Sequence, residues 1–463
     1  MRGLVARGGI NVGAQLFATL CGYLVALLLA RALGPEGFGV YGVVASLLLS
    51  VELVARLGIP TAALKLLAEG RPAEQVIPLS ALLTLAAALF AFLALWLAAP
   101  AIASALGLPG GSALVRLAAF DIPVFAFYFL WVSLAAGQGR FRLRALLVVL
   151  YAAARLVGAL VVVLFWPSVE GALVAIIAAS AVAVAFGLWR LALPRAPPRP
   201  TLLKPLAATA LPVWLRTLAQ NLLPHLSLWL VAALSPGTVL GGYVAALALA
   251  RAPQALGLGL APVVLHDLAR AQKRGDDPAT TVAPGAELLL ALLLPACAVL
   301  AVEAASVMEL LFGAGYREAA PLFAVLAIGF GVGETLFAVA SAALVATGRG
   351  RIAALWAWSM LGALGAGVLA LTPSLGLPGA ALASSAAVLA GGVLSLGSLL
   401  PLRLWPRVWS RPLTLAAILT GAAVLLPAGS LELLWKLPLL ALLWMAAATL
   451  LGLARAATVA APS

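Results

Sequence analysis

Eight ionisable residues stand inside long apolar runs: Arg56, Arg116, Arg155, Arg216 and Arg251 on one side of the ledger, Glu52, Asp121 and Glu334 on the other. A charge at the centre of a membrane helix costs about 2.5 to 3.5 kcal/mol on insertion scales, so charges kept there face protein or a wet cavity and are functional candidates by default. A guanidinium offers a planar fork of donors that matches phosphate or carboxylate oxygens. A carboxylate in the same setting suits proton or sodium coupling. Five arginines against three acids favour an anionic cargo over the cationic compounds that a site of acids and aromatics would take.

Spacing sorts these residues further. Glu52 and Arg56 are four apart with the acid first, the geometry of a local helix ion pair, although Glu52 also qualifies as an ion-coupling group. Arg116 lies near the end of its apolar run and can reach headgroups. Asp121 and Arg155, on neighbouring segments, are open to either reading, a mutual structural pair or a functional one. Arg216 and Gln220 share a helix face, Asn221 and His225 the adjoining one, and Gln15 with Thr19 repeats that stripe at an offset of 201 residues. Two related helices with matching polar stripes are what a shared cavity requires, while polar residues can also join helices. Arg251 and Gln254 are three apart on one face, which adds them to the substrate-binding candidates Arg216, Gln15, Gln220 and Asn221. Glu334, with no cation near it in sequence, joins Asp121 and Glu52 as an ion-coupling candidate. His225 is either a titrating gate or a hydrogen-bonded packing residue.

The elements that must hold these groups are membrane helices. The chain is 463 residues, 65% hydrophobic and 9% charged, outside the range of soluble domains. Fourteen apolar segments are long enough to cross a bilayer, at about 11–30, 39–63, 76–99, 113–136, 145–166, 170–189, 206–234, 238–262, 285–307, 320–345, 353–372, 377–400, 412–428 and 434–453. The expected fold class is therefore an all-α membrane protein. A net charge of +13 invites a nucleic-acid reading, yet Lys and Arg crowd alternate loops: Arg2, Arg7, Lys65, Arg71, Arg140, Arg142, Arg144, Arg190, Arg195, Arg199, Lys204, Arg270, Lys273, Arg274, Arg349, Arg351, Arg403, Arg407, Arg411 and Arg455 on one side, only Arg31, Arg317 and Lys436 on the other. By the positive-inside rule both termini are cytoplasmic, which an even number of spans allows. Cys21 and Cys297 occupy different apolar segments, so neither a disulfide framework nor a metal cluster is expected, and no metal or cofactor is called for. Gly329, Gly331 and Gly333 in GFGVG mimic a nucleotide loop, but inside a span glycines permit close helix packing.

The chain also repeats itself. Gly39 and Tyr41 in GFGVYG match Gly241 and Tyr243 in LGGYVAA, and Pro60 matches Pro262 at the same offset of 202 residues. GQGRF at 137–141 is echoed by GRGRI at 348–352. Six spans fall in each copy with the same orientation, a parallel repeat that in transporters places a site between two lobes. The expected organisation is an N-lobe at 1–194, a basic, proline-rich linker at 195–205, a C-lobe at 206–402 and two extra helices within 403–463.

At this point a family resemblance enters. ARALGPEGFGVYGVVASLLLS with LGIPTAALKLLAEG, LLFGAGYREAAPLFAVLAIG and ATGRGRIAAL resemble the polysaccharide-biosynthesis transporters, the O-antigen flippase family of the multidrug/oligosaccharidyl-lipid/polysaccharide exporter superfamily. The stretch 220–257 resembles helices 7 and 8 of lipid II flippases, with Arg251 at the position of their cavity-facing arginine, whereas the arginine those proteins carry within the first helix is missing here. The resemblance implies an uncleaved first helix in the inner (cytoplasmic) membrane. It also implies a flippase, not an enzyme, that moves a polyprenyl-(pyro)phosphate-linked oligosaccharide to the outer leaflet by alternating access. The implied partners are that lipid-linked oligosaccharide, membrane lipids and the polysaccharide polymerase machinery, with no nucleic acid. A proton or sodium gradient or the membrane potential is the implied driving force. The rival within the superfamily is a multidrug/toxic-compound extrusion antiporter. A membrane glycan polymerase or ligase would need a large external loop or a catalytic cluster, and no loop exceeds roughly 20 residues.

Overall fold

The computed structural model describes residues 2–108, 110–191, 196–198, 200–235, 240–254, 268, 277–426, 429 and 432–451. The described residues form helices and no strand, as backbone in a bilayer demands, since every N–H and C=O must be satisfied within its own segment. In chain order the α-helices are α1 (Arg2–Arg56), α2 (Ile59–Ala68), α3 (Ala73–Ala105), α4 (Gly111–Ala119), α5 (Asp121–Gly137), α6 (Phe141–Phe165), α7 (Val169–Arg190) and α8 (Leu203–Leu234). They continue as α9 (Leu240–Ala250), α10 (Pro278–Val302), α11 (Ala304–Phe312), α12 (Ala320–Ile328), α13 (Thr335–Ala346), α14 (Gly350–Gly397), α15 (Trp405–Leu425) and α16 (Leu433–Leu450).

Among the described residues, ten helical stretches are long and apolar enough to span a membrane. Two of these, α1 and α14, each run through a single non-helical glycine, Gly34 (φ 67°) and Gly376 (φ 64°), and so contain two spans apiece. With the shorter apolar helices Leu240–Ala250 and Trp435–Leu450, the fourteen expected segments all have helical counterparts. Where expected ends move, local chemistry explains it. The second span stops at Arg56, because Leu57 (φ 48°) and Gly58 (φ 72°) turn left-handed, and α2 then restarts with Pro60 in its first turn. The eighth segment, expected to 262, is described only to Gln254, with α9 ending at Ala250.

The chain divides into two compact units, unit 1 (Met1–His225 with Pro236–Gly241) and unit 2 (Leu226–Ser235 with Gly242–Ser463). The first has a core centred on α2, α3, α5 and α6, with Trp131, Leu134, Leu147 and Leu206 among its buried members. In it the repeat-related glycines meet, since a Cβ on Gly39 would stand 2.8 Å from the Gly241 nitrogen. Only hydrogen fits there. Unit 2 packs α10 against α15 and α13 against α14. Between α12 and α13 the chain forms one turn of π-helix, Gly329–Glu334. Its glycines are placed for contact, as the sequence reading holds: a Cβ at Gly329 would meet Ser385 at 2.3 Å and one at Gly333 would meet Leu389 at 2.6 Å.

Candidate functional site

In unit 2, Arg251 sits in the turn that ends α9, and Glu334 closes the π-helical turn of the twelfth helix region. The arginine grips the carboxylate with two parallel bonds, Nε to Oε2 at 3.0 Å and Nη2 to Oε1 at 3.0 Å. Gln254 completes the group, its Nε2 donating to Glu334 Oε1 at 2.9 Å while its Oε1 accepts from Arg251 Nη2 at 3.2 Å. The carboxylate is 6% exposed and the guanidinium 28%. Three donors thus converge on one planar oxyanion, the arrangement that a phosphate would also satisfy. A Cβ on Gly331 would stand 2.7 Å from Cys297 Sγ, so only hydrogen fits there, with Ala250 O and Pro253 at van der Waals distance.

Unit 1 holds the other two acids among the ion-coupling candidates. Glu52 on α1 and Asp121 at the start of α5 are each 1% exposed and within electrostatic reach of one another and of Arg155 on α6. The two carboxyls lie beside one another, Asp121 also beside Ser180, yet none of their four oxygens makes a well-aligned hydrogen bond, nor does Arg155 Nε. The i, i+4 ion pair expected of Glu52 and Arg56 is not formed. Arg56 Nε donates instead to the Glu52 backbone carbonyl, and its guanidinium lies over Phe129 (4.3 Å) and Phe125 (5.7 Å) on α5. Two aromatic faces outcompete a single carboxylate here. Likewise Arg155 and Asp121 are neighbours without a direct hydrogen bond.

The remaining candidates are dispersed. The side chain of Arg216 lies outside the described residues. Gln15 is exposed on α1, its backbone carbonyl accepting from Thr19 Oγ1 at 2.9 Å. Gln220 is half-buried, and Asn221, exposed, donates to the Thr217 carbonyl of its own helix at 2.8 Å. His225 is half-buried and has a partner. Arg116 covers the Trp96 ring at 4.6 Å.

Three clusters escaped the sequence reading. Ser227, Tyr243 and Ser384 join in a buried hydroxyl network with contacts of 2.5, 2.8 and 3.5 Å. Glu287, 2% exposed, faces Arg411 at 3.2 Å and Arg407 at 3.9 Å, so two of the residues counted in the basic loops pair with a buried acid. Lys436, assigned to a loop, lies inside α16 and pairs with buried Glu303. The usable signal was an acid inside or beside an apolar run with no cation near it in sequence, the same signal that singled out Glu334.

Solved structures similar in fold agree with this architecture. The chain superposes on a lipid II flippase, MurJ, in an inward closed conformation with a TM-score of 0.79 at 12% identity, covering 95% of this chain and 97% of that one. An inward-facing multidrug resistance MATE family transporter of the MOP superfamily follows at 0.68 and 16% identity, covering 85% and 95%. A MOP superfamily transporter from Pyrococcus furiosus, described as having a binding pocket of reverse polarity, gives 0.55 at 16% identity, covering 86% and 94%. No curated protein sequence matches. Residues 28–321, well over half of the chain, match the family described as polysaccharide biosynthesis protein, and the chain belongs to that family.

Proposed function

We propose that the protein is a flippase that carries a polyprenyl-(pyro)phosphate-linked oligosaccharide from the cytoplasmic to the outer leaflet of the inner membrane by alternating access, with both termini cytoplasmic. The observation that carries this reading is the part-exposed Arg251 fork, which already holds a planar oxyanion with help from Gln254. In the loaded state the cargo diphosphate occupies that fork. Family membership points to a glycan cargo, and the fold shared with a lipid II flippase supports a lipid carrier. The polysaccharide polymerase machinery would receive the product.

Glu52 and Asp121 are the proposed ion-coupling groups, since buried carboxyls without a well-aligned hydrogen bond are poised to take up a proton or sodium. The same pair is the specific observation behind a second reading, a multidrug antiporter, which the fold of the MATE transporters also accommodates. The test is reconstitution in liposomes with a fluorescently tagged polyprenyl-diphosphate oligosaccharide, following its exposure to an external glycosidase. Flipping that falls at least tenfold in Arg251→Ala, with folding intact, supports the flippase. Export of a cationic dye against an ion gradient, with no glycan carrier crossing, replaces it with the antiporter.

A further inference from the structure

Arg251, the residue given to the cargo above, is already occupied. Its two parallel bonds to Glu334, and the third donor from Gln254, reproduce with a carboxylate the contacts a phosphate oxygen pair would make. A fork holds one oxyanion at a time, and two like charges cannot share it. We infer that Glu334 is a built-in competitor for the cargo diphosphate, so that loading is an exchange of one anion for another on the Arg251 and Gln254 donors, and release is the reverse.

The geometry also assigns which partner moves. Glu334 is held by its backbone: the π-helical turn that bears it is flush against the second half of α14, where a Cβ on Gly392 would lie 2.3 Å from the Gly333 carbonyl oxygen and one on Gly333 2.6 Å from Leu389. Thr335, next in sequence, donates its hydroxyl to the Gly331 carbonyl at 2.7 Å and ties that turn to itself. Single π turns inside α-helices occur often at functional sites. Arg251 lies just past the last residue of α9, in a turn, and is the more exposed partner, 28% against 6%. A long, flexible side chain on a turn faces a short carboxylate on a wedged one. Arg251 and Gln254 therefore leave Glu334, not the reverse.

Loading then strands a buried carboxylate, which is costly. Glu334 accordingly weakens cargo binding and drives its release. This inference rests on the reading of Arg251 as the diphosphate site, and the experiment separates the two. Binding of farnesyl diphosphate and of inorganic pyrophosphate to the purified full-length protein is measured by calorimetry for the native chain, Glu334→Gln, Glu334→Asp, Arg251→Ala and the double variant Arg251→Ala/Glu334→Gln, with thermal unfolding as a folding check. Removing the competitor raises the fraction of free fork, and Glu334→Gln is expected to bind farnesyl diphosphate about tenfold tighter while flipping the tagged glycan carrier more slowly because release is impaired. Glu334→Asp, which keeps the charge on a shorter arm, should fall between. The double variant should bind as weakly as Arg251→Ala. A gain with both probes assigns the exchange to the diphosphate group they share and supports it, whereas a gain with the prenylated probe alone places the effect on the carrier lipid and overturns the anion exchange. If Arg251→Ala weakens binding but neither Glu334 variant strengthens it, Glu334 is a structural partner only, and the inference fails while the flippase reading stands. If Arg251→Ala binds both probes as the native chain does, the diphosphate site is elsewhere and both fall.

Discussion

The two units treat buried acids in opposite ways. Among the described residues of unit 2, Glu287 faces Arg411 and Arg407, Glu303 faces Lys436, and Glu334 faces Arg251. In unit 1, Glu52 and Asp121 are as deeply buried, yet their oxygens make no well-aligned hydrogen bond, although Arg56 is one turn from Glu52 and Arg155 is close to both. The repeat makes the contrast sharper, because Glu52 aligns with Gln254 at an offset of 202 residues. One copy carries an acid at that position and leaves it without a well-aligned hydrogen bond, and the other carries an amide that bridges a complete ion pair. Duplicated scaffolds can thus be polarised: charge is neutralised within unit 2 and left uncompensated by hydrogen bonds within unit 1.

The largest expected effect tests the compensated side. Lys436→Met leaves Glu303 buried without its cation and should cost about 3 to 5 kcal/mol, read as a fall in Tm of the purified protein. Adding Glu303→Leu should restore most of that loss, and a double variant no better than the single would break the claim that the pair is balanced. The uncompensated side should respond with the opposite sign. Glu52→Gln or Asp121→Asn is expected to raise stability by about 1 to 3 kcal/mol, since the mutual repulsion of two carboxyls set side by side away from water is removed, and to abolish dependence of flipping on the imposed ion gradient. A drop in Tm in either variant would mean that the carboxylates are bonded after all. Close backbone contact should matter equally in the two units. Gly39→Ala and Gly333→Ala each drive a methyl into a neighbouring backbone and should destabilise by about 1 to 3 kcal/mol, whereas Gly362, which has nothing within 4 Å, should accept alanine with a small gain. Smallest of all, Asn221→Ala removes an exposed bond to its own helix and should shift Tm by less than about 0.5 kcal/mol in equivalent stability; in a glycan-binding assay the same change is expected to cost more.

The architecture was legible because a bilayer imposes one length on every apolar run, and fourteen runs of that length leave little else to build. The contacts that decide charge pairing were not. Glu334 and Arg251 are 83 residues apart, and Glu303 and Lys436 are 133 apart. No periodicity relates such positions. Glu52 and Arg56 show the converse failure, where correct helical spacing suggested a pair but Phe125 and Phe129, from another helix, captured the guanidinium. Spacing along one helix states which partners are within reach, while packing against other helices chooses among them. The glycine-rich run 329–333 was read properly as a packing surface, because a residue without a side chain has few other uses inside a span.

Gly34 and Gly376 carry the chain from one span to the next through a single residue in a backbone region that other amino acids avoid. Such a joint has no slack. A change of angle between the two spans it links is confined to the torsions of that residue and its immediate neighbours. An epitope or protease site inserted there would have no loop to occupy and would prise the spans apart. The practical corollary is that reporter insertions belong elsewhere, and that Gly34→Ala or Gly376→Ala, though neither methyl would meet a crowded neighbour, would strain the joint itself and shift the angle at which these two hairpins are set.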